Sequence, residues 1–340
     1  MALSTPSPTP FAAQPVSSKI GLHTRLTDEP SPEKIRQEFG MLREMGATWA
    51  TEFFPWAYIQ PSDKLRYDWQ HADEVANAAR DAGLTLLARI DGVPGWARPA
   101  DKTWRYLDEA HYADYGDFVY AFVLHFEGRI SHYIIWNEPN TAAEWGQRPP
   151  DPKAYAALLK VAYTRAHEAD PNCVVMLAGL APNLEHEGSP AAMNDLTYLQ
   201  RVYDAGAAHS FDAVAAHSYG LTSSPDEPAD PRKLNFARTE EIHNVMMRNG
   251  DGAKPVYITE GGWNDSPRWS YAVKPYQRAE YTVAAYKRAE AWPWCKAVCL
   301  WASRLPSPAY TYFDNYTFLT PDFIPKAVYL EVQKYAFGGK

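Results

Sequence analysis

Eight short apolar runs recur along the chain, separated by segments in which apolar positions return every three or four residues. The runs are Ile20–His23, Ala47–Phe53, Thr85–Ile90, Tyr133–Trp136, Cys173–Ala178, Ala213–His217, Val256–Thr259 and Ala297–Trp301. Each is nearly continuous in apolar residues, the pattern of a strand covered on both faces. Between them lie helical patterns with recognisable ends. Ser31-Pro32-Glu33 reads as an N-cap followed by Pro at the first helical position, and Gly46 closes the segment that carries Ile35, Phe39 and Leu42. A second helix runs to Ala82 and stops at Gly83. A third carries Phe118, Val119, Phe122, Val123 and Phe126 before Gly128. The fourth runs from about Pro152 to Asp170-Pro171. Further helical spacing covers about 192–205, 238–248, 275–291 and 325–335.

Strict alternation of buried strands and amphipathic helices predicts a parallel sheet clothed in helices, and eight such units close into a single (β/α)₈ TIM barrel. A doubly wound open sheet is the other α/β arrangement, but no Gly-rich phosphate loop follows any run. The barrel is expected to occupy residues 19–340. Residues 1–18, rich in Ser, Thr, Pro and Ala, lack the basic and apolar regions of a signal peptide and read as a flexible leader. Such leaders often tether exported domains, so localisation stays open with an extracytoplasmic or secreted setting favoured. The longest irregular stretches, 137–150, 220–234 and 303–323, all follow strand ends, where a barrel presents its chemistry.

Composition narrows the function. The 340 residues are 46% hydrophobic and 22% charged, which excludes bulk disorder. A net charge of −8 argues against a nucleic-acid partner and mildly against a polyanionic glycan. No apolar stretch reaches the roughly 18–20 residues of a membrane span. The three cysteines, Cys173, Cys295 and Cys299, have neither metal-like nor disulfide-framework spacing. Oligomeric state leaves no trace, so a monomer is the default. Aromatic content of 14%, with 12 Trp and 22 Tyr, is unusual. It suits sugar binding, because aromatic faces pack on the C–H faces of sugar rings. Trp96, Trp145, Trp263 and Trp269 fall in loops on the expected catalytic side.

Two glutamates close buried runs: Glu138 in Trp136-Asn137-Glu138-Pro139, and Glu260 in Thr259-Glu260-Gly261-Gly262-Trp263. Glycosidic hydrolysis needs two carboxyl groups flanking one bond. The first must be protonated to act as acid, so it needs a raised pKa. The second must be ionised and exposed at the mouth, and the two glycines are expected to turn the backbone sharply away from it. A helix-capping Glu138 and a plain loop Glu260 are the bland alternatives. His186 between Glu185 and Glu187 lacks a second histidine at ligand spacing and reads as a solvated loop. Asn264-Asp265-Ser266 and Asn315-Tyr316-Thr317 match the glycosylation pattern, in loops where a glycan would obstruct a cleft.

The run Trp136-Asn137-Glu138-Pro139 on the fourth strand, with Glu260 ending the seventh, resembles the retaining (β/α)₈ glycosidases of glycoside hydrolase clan A over essentially the whole chain after the leader. The segment Trp56-Ala57-Tyr58-Ile59-Gln60-Pro61 resembles family 39 and related families more than family 5. By that resemblance Glu138 is acid/base, Glu260 nucleophile, and Asn137 contacts the 2-hydroxyl of the reacting sugar. His217 and Tyr219 would orient the nucleophile, and Trp301 would form an aromatic platform beneath the sugar. Asp91, Trp56, Trp96 and Trp263 are further substrate-binding candidates, with Trp104, Arg304, Asp314 and Asn315 as loop contacts. No metal or organic cofactor is required, since two carboxylates supply acid, base and nucleophile.

The chain departs from the clan at strand two, where Ala50-Thr51-Glu52-Phe53 holds no arginine near the nucleophile. Arg89 on strand three could supply that charge, or could pair with Glu52 as a structural bridge. The reading is therefore a retaining O-glycoside hydrolase acting on β-glycosidic bonds of an oligo- or polysaccharide, with endo action favoured. The other readings are a transglycosylase on the same scaffold and a non-catalytic carbohydrate-binding barrel.

Overall fold

The computed structural model describes residues 15–339. Eight parallel strands, β1 (Ile20–His23), β2 (Trp49–Pro55), β3 (Thr85–Asp91), β4 (His132–Ile135), β5 (Val174–Leu177), β6 (Ala213–Tyr219), β7 (Val256–Gly262) and β8 (Cys295–Trp301), close into one barrel in sequence order. The seam is β8 against β1, with His23 paired to Trp301. The helices are α1 (Pro32–Met45), α2 (Trp56–Ile59), α3 (Gln70–Asp81), α4 (Tyr112–His125), α5 (Pro152–Ala169), α6 (Asp195–Asp204), α7 (Arg238–Arg248), α8 (Pro275–Glu290) and α9 (Ala327–Ala336).

The helix boundaries follow local chemistry. Ser31 Oγ accepts the Lys34 amide hydrogen and Pro32 opens α1, while Gly46 at φ 100° ends it. Asp151 likewise accepts from the Lys153 and Ala154 amides at the start of α5. The single-turn α2 after β2 has no periodic signature long enough to be read from sequence.

Two apolar layers hold the barrel. One lies between strands and helices; the other fills the interior with Leu87, Ile134, Met176, Ala213, Tyr257 and Cys299. Trp49, His132 and Tyr257 meet edge to face at 5.5–5.7 Å beneath them. Above this plug the inward positions turn polar: His23, Arg89, His217 and Glu260 are all buried. The C-terminal strand ends thus form a charged mouth over a dry floor.

At the other end, Val16 N–H bonds Ala336 O at 2.8 Å, and Ser18 O accepts from Thr48 and the Trp49 indole. The last residues of the expected leader are therefore bonded to the body, while residues 1–14 lie outside those described. Among the described residues no helix is long and apolar enough to cross a membrane.

Candidate active site

Glu260 is aimed into the barrel by a register irregularity. Ala216 pairs with Ile258, but the next residue, His217, pairs with Glu260, so Thr259 is an extra residue on β7. Simple alternation from the inward-facing Tyr257 would turn Thr259 in and Glu260 out. The bulge reverses that, a known use of bulges beside active sites. The glycines that follow do not turn the chain away, as the sequence suggested. β7 continues through Gly262, and a Cβ on Gly261 would lie 2.3 Å from Ser218 O. Gly261 permits close approach of β6.

Glu138 reaches the mouth differently. β4 ends at Ile135, one residue earlier than expected, because Trp136 sits at φ 77° and Glu138 at φ 41°. The buried Trp136 is fixed by its indole N–H to Glu144 O at 2.8 Å, and Glu138 N–H bonds Gly179 O at 2.9 Å. Gly179 also leaves room for His217, whose Nε2 would lie 2.2 Å from a Cβ there.

The two carboxylates converge on His217. A ligating atom from each of Glu138, His217 and Glu260 falls within 4.8 Å of the others. His217 Nδ1 lies 2.8 Å from Glu138 Oε1 and 3.8 Å from Glu260 Oε2. Burial opposes charge on His217, yet the attraction of Glu260 and Glu138 raises its pKa above the ordinary value. These three side chains could gather round a cation, but Arg89 and His23 already crowd the same Glu260 oxygen.

Glu260 accepts from Arg89 Nη1 at 3.0 Å and from the Tyr219 hydroxyl at 3.0 Å. Burial alone would raise its pKa. The neighbouring His217 and Arg89 charges and the Tyr219 hydrogen bond outweigh that and hold the carboxyl below its usual range. Arg89 Nη1 also donates to Asn137 Oδ1 at 3.1 Å, tying the nucleophile candidate to the residue beside Glu138.

The alternative for Arg89 is decided by strand geometry. Phe53, not Glu52, is its register partner, so Glu52 and Arg89 face opposite sides of the sheet. Glu52 is instead satisfied by the Thr24 and Thr27 hydroxyls and the Leu26 and Phe53 amides at 2.7–3.0 Å. Arg89 Nε lies 3.0 Å from Asp91 Oδ2 but out of line for a hydrogen bond. Asp91 is also paired with Arg105, which reaches Glu144 at 3.0 Å.

His23 carried no sequence signal beyond ending a strand. Its Nδ1–H donates to Thr24 O at 2.6 Å, so the neutral ring turns a bare Nε2 toward Glu260, 3.6 Å from Oε1. Complete burial lowers its pKa to about 3. That Nε2 has no partner among the described residues and can accept a hydrogen bond from a bound hydroxyl. The half-buried Trp301 ring lies 5.1 Å from the His23 ring, and the Arg25 guanidinium stands 5.2 Å from the centre of the indole. Trp301 therefore belongs to the mouth.

Several aromatic candidates lie elsewhere. Trp56 is fully buried, stacked on Phe118 at 5.5 Å and bonded to Gln60 Oε1. Trp96 packs edge-on against Trp56 and donates to Gln60 O. Trp263 is buried against Phe236 and Tyr281, its N–H on Ser223 O. Trp145 is buried against Trp136. These rings build the walls behind the mouth. Trp104, half-buried, leans edge-on against Phe53 near Arg105. Arg304 is wholly buried between Glu29 and Glu38, and Asp314 caps its own loop through the Ala309 and Thr311 amides. Asn315 is half-buried at the end of that turn. Asn264 is fully buried with both amide atoms engaged, which leaves its glycosylation pattern inaccessible. His186 is an exposed loop residue.

No family model and no curated protein matches the sequence. Solved structures do match in shape. A family 39 glycoside hydrolase from the gut symbiont Bacteroides cellulosilyticus WH2 superposes with a TM-score of 0.74 at 19% identity, over 94% of this chain and 63% of that one. This chain thus spans less than two thirds of that protein's length. GH5_18 from Streptomyces cattleya, in complex with GlcNAc, gives 0.68 at 15% identity over 94% and 80% of the two chains. A glucosidase from Croceicoccus marinus gives 0.67 at 16% identity over 95% and 68%. The chain has the barrel fold of these glycoside hydrolases.

Proposed function

We propose that the protein is a retaining glycoside hydrolase of the clan A type, acting on a β-linked oligo- or polysaccharide. The observation that carries this reading is the pair Glu138 and Glu260, with oxygens within 4.8 Å and one carboxyl held ionised by Arg89, His217 and Tyr219. Retaining enzymes place their carboxyl groups about 5–5.5 Å apart, and inverting ones about 6.5–9.5 Å, to admit a water. The shorter class fits.

In the first step a Glu260 oxygen bonds the anomeric carbon as the glycosidic C–O bond breaks, and the leaving oxygen takes a proton from Glu138. In the second step Glu138, now a carboxylate, removes a proton from water, whose oxygen displaces Glu260 from the sugar. The Glu138–His217 contact of 2.8 Å gives that proton a second seat while Glu138 changes role. Asn137, already oriented by Arg89, offers its amide to the sugar's 2-hydroxyl. His23 Nε2 accepts from another hydroxyl, and Trp301 lines the wall beside it. The names of the structural neighbours support the reaction class, and the two that name a sugar differ in it.

The test is intact-protein mass spectrometry after incubation with 2-deoxy-2-fluoroglycosides of several sugars bearing good leaving groups, followed by peptide mapping. An adduct on Glu260 is expected, and the probe that forms it names the accepted sugar. Turnover with inversion of configuration, or an adduct on another residue, would discard the mechanism. Product analysis with added acceptor sugars separates hydrolysis from transfer.

A further inference from the structure

The loops that follow β7 and β8 carry exposed aromatic side chains that the chemistry above does not use. Tyr310 is 91% exposed, Tyr271 53% and Tyr312 37%. Tyr312 is linked to the mouth by ring contacts, and Tyr271 packs edge-on against Trp269 at 5.5 Å. Tyr219, whose hydroxyl bonds Glu260, meets Tyr316 edge-on at 5.6 Å; Tyr316 meets Trp269 at 6.0 Å; and Trp269 stacks on Tyr312 at 4.6 Å and 9°. Beside this stack lies a cavity of about 400 Å³ lined by Ser266, Arg268, Trp269, Tyr310, Thr311 and Tyr312.

The two loops are fastened to each other and to the body. The buried Asn264 donates to Tyr312 O at 2.6 Å and accepts from the Ser266 amide at 2.8 Å. Lys326 Nζ donates to Asp314 O at 2.7 Å and to Thr317 Oγ1 at 2.6 Å. The aromatic stack is therefore held in place before any ligand arrives, which lowers the ordering cost of binding. Exposed apolar surface of this kind marks an interaction site. Tyr310 adds a second unfavourable feature, since it holds φ 56° while standing in water. Aromatic faces bordered by Ser and Thr hydroxyls and one guanidinium match a sugar, with its C–H face and hydroxyl edge. Trp269 is linked to Glu260 by ring contacts through the buried Tyr316 and then Tyr219. Both loops rise from the strand ends that form the mouth, which favours a sugar of the reacting chain over a separate partner.

We propose that Trp269 and Tyr312 form an accessory subsite for a further unit of the glycan whose reacting unit lies at Glu260, so that the substrate is an extended chain and not a small glycoside. This rests on the glycosidase reading. The experiment measures kcat/KM for an aryl β-glycoside of the accepted sugar and for β-1,4-linked gluco-, manno- and xylo-oligosaccharides of two to six units. The parent, Trp269→Ala, Tyr312→Ala and Trp269→Phe are compared, with melting temperatures recorded. Activity of the parent should rise with chain length. Trp269→Ala and Tyr312→Ala should lose about tenfold on the longest substrate cleaved, Trp269→Phe should recover most of it, and the aryl glycoside should stay within twofold. Rates independent of length, or equal losses on the aryl glycoside and the longest chain, would overturn the subsite. No turnover of any aryl glycoside would instead count against the glycosidase reading. Calorimetric titration of the hexasaccharides then decides the subsite by itself, and equal affinity of the parent and Trp269→Ala, or no binding by either, would discard it.

Discussion

Two buried arginines in this barrel each stand between carboxylates, and they serve opposite ends. Arg304 lies outside the strands, bonded to Glu38 and Glu29 at 2.8 Å each, to Pro321 O at 3.2 Å, and packed over Phe323 at 4.1 Å. Ser303 donates to the remaining Glu38 oxygen. None of these side-chain atoms is left without a partner. The cluster ties the long loop after β8 to α1, and burial raises the Glu38 carboxyl to about 7. Arg89, inside the mouth, also stands between acids, Asp91 and Glu260, yet its surroundings are unfinished. Among the described residues His23 Nε2 has no hydrogen-bond partner, and Arg89 Nε and Asp91 Oδ2 oppose each other at 3.0 Å without aligning for a hydrogen bond. Unsatisfied buried polar atoms cost stability, on the order of 1–3 kcal/mol each. A fold tolerates them where a ligand completes the set. The Arg304 cluster is closed; the mouth is left open at His23 Nε2, where a bound hydroxyl would complete the set.

The sharpest way to break this comparison is at Glu260, the proposed nucleophile. Glu260→Ala should lower kcat by roughly 10⁴-fold or more, and a small external anion should restore part of the rate, measured on an activated aryl glycoside. A loss below tenfold would remove Glu260 from the chemistry.

Exchanging the arginines comes next. Arg304→Met strands Glu29 and Glu38 in a dry site, and should cost about 3–5 kcal/mol of stability by denaturant unfolding. Arg89→Met leaves Glu260 with Tyr219 and His217, so it should cost less stability but roughly 10²–10³ in kcat. If Arg304→Met lowered kcat as much as Arg89→Met while the melting temperature held, the two clusters would not differ in role.

The smallest effect is in pH dependence. Burial holds His23 at about 3 in the folded protein against 6.5 for the free side chain. The unfolded chain therefore binds a proton that the folded one refuses throughout that interval. Stability should fall as pH drops from about 6.5 toward 3, by about 1.4 kcal/mol per pH unit from this group. His23→Gln should flatten that slope in urea titrations across the interval. An unchanged slope would mean that His23 takes up its proton without loss of the fold.

The aromatic residues show where sequence stops being informative. Trp56, Trp96, Trp263 and Trp269 all lie in or near segments on the catalytic side, and nothing local distinguishes them. The first and third are buried in the walls, the second packs on Trp56, and only the last joins a stack that opens to solvent. His23 was equally silent, because its value lies in a partner atom on a strand 237 residues away that the register brings to 3.6 Å.

The sequence by itself determined the eight strands, most helix limits and the two glutamates at strand ends, because periodicity, caps and turn residues act within a few positions of one another. The tertiary structure decided which way Glu260 faces, through an extra residue that only the pairing of β7 with β6 reveals. It also decided that Arg89 serves Glu260 while Glu52 faces away, since the side of a sheet on which a charge lies depends on strand register. Closure of the barrel brings together residues more than a hundred positions apart, and their mutual distances, charges and open hydrogen bonds exist only after that closure.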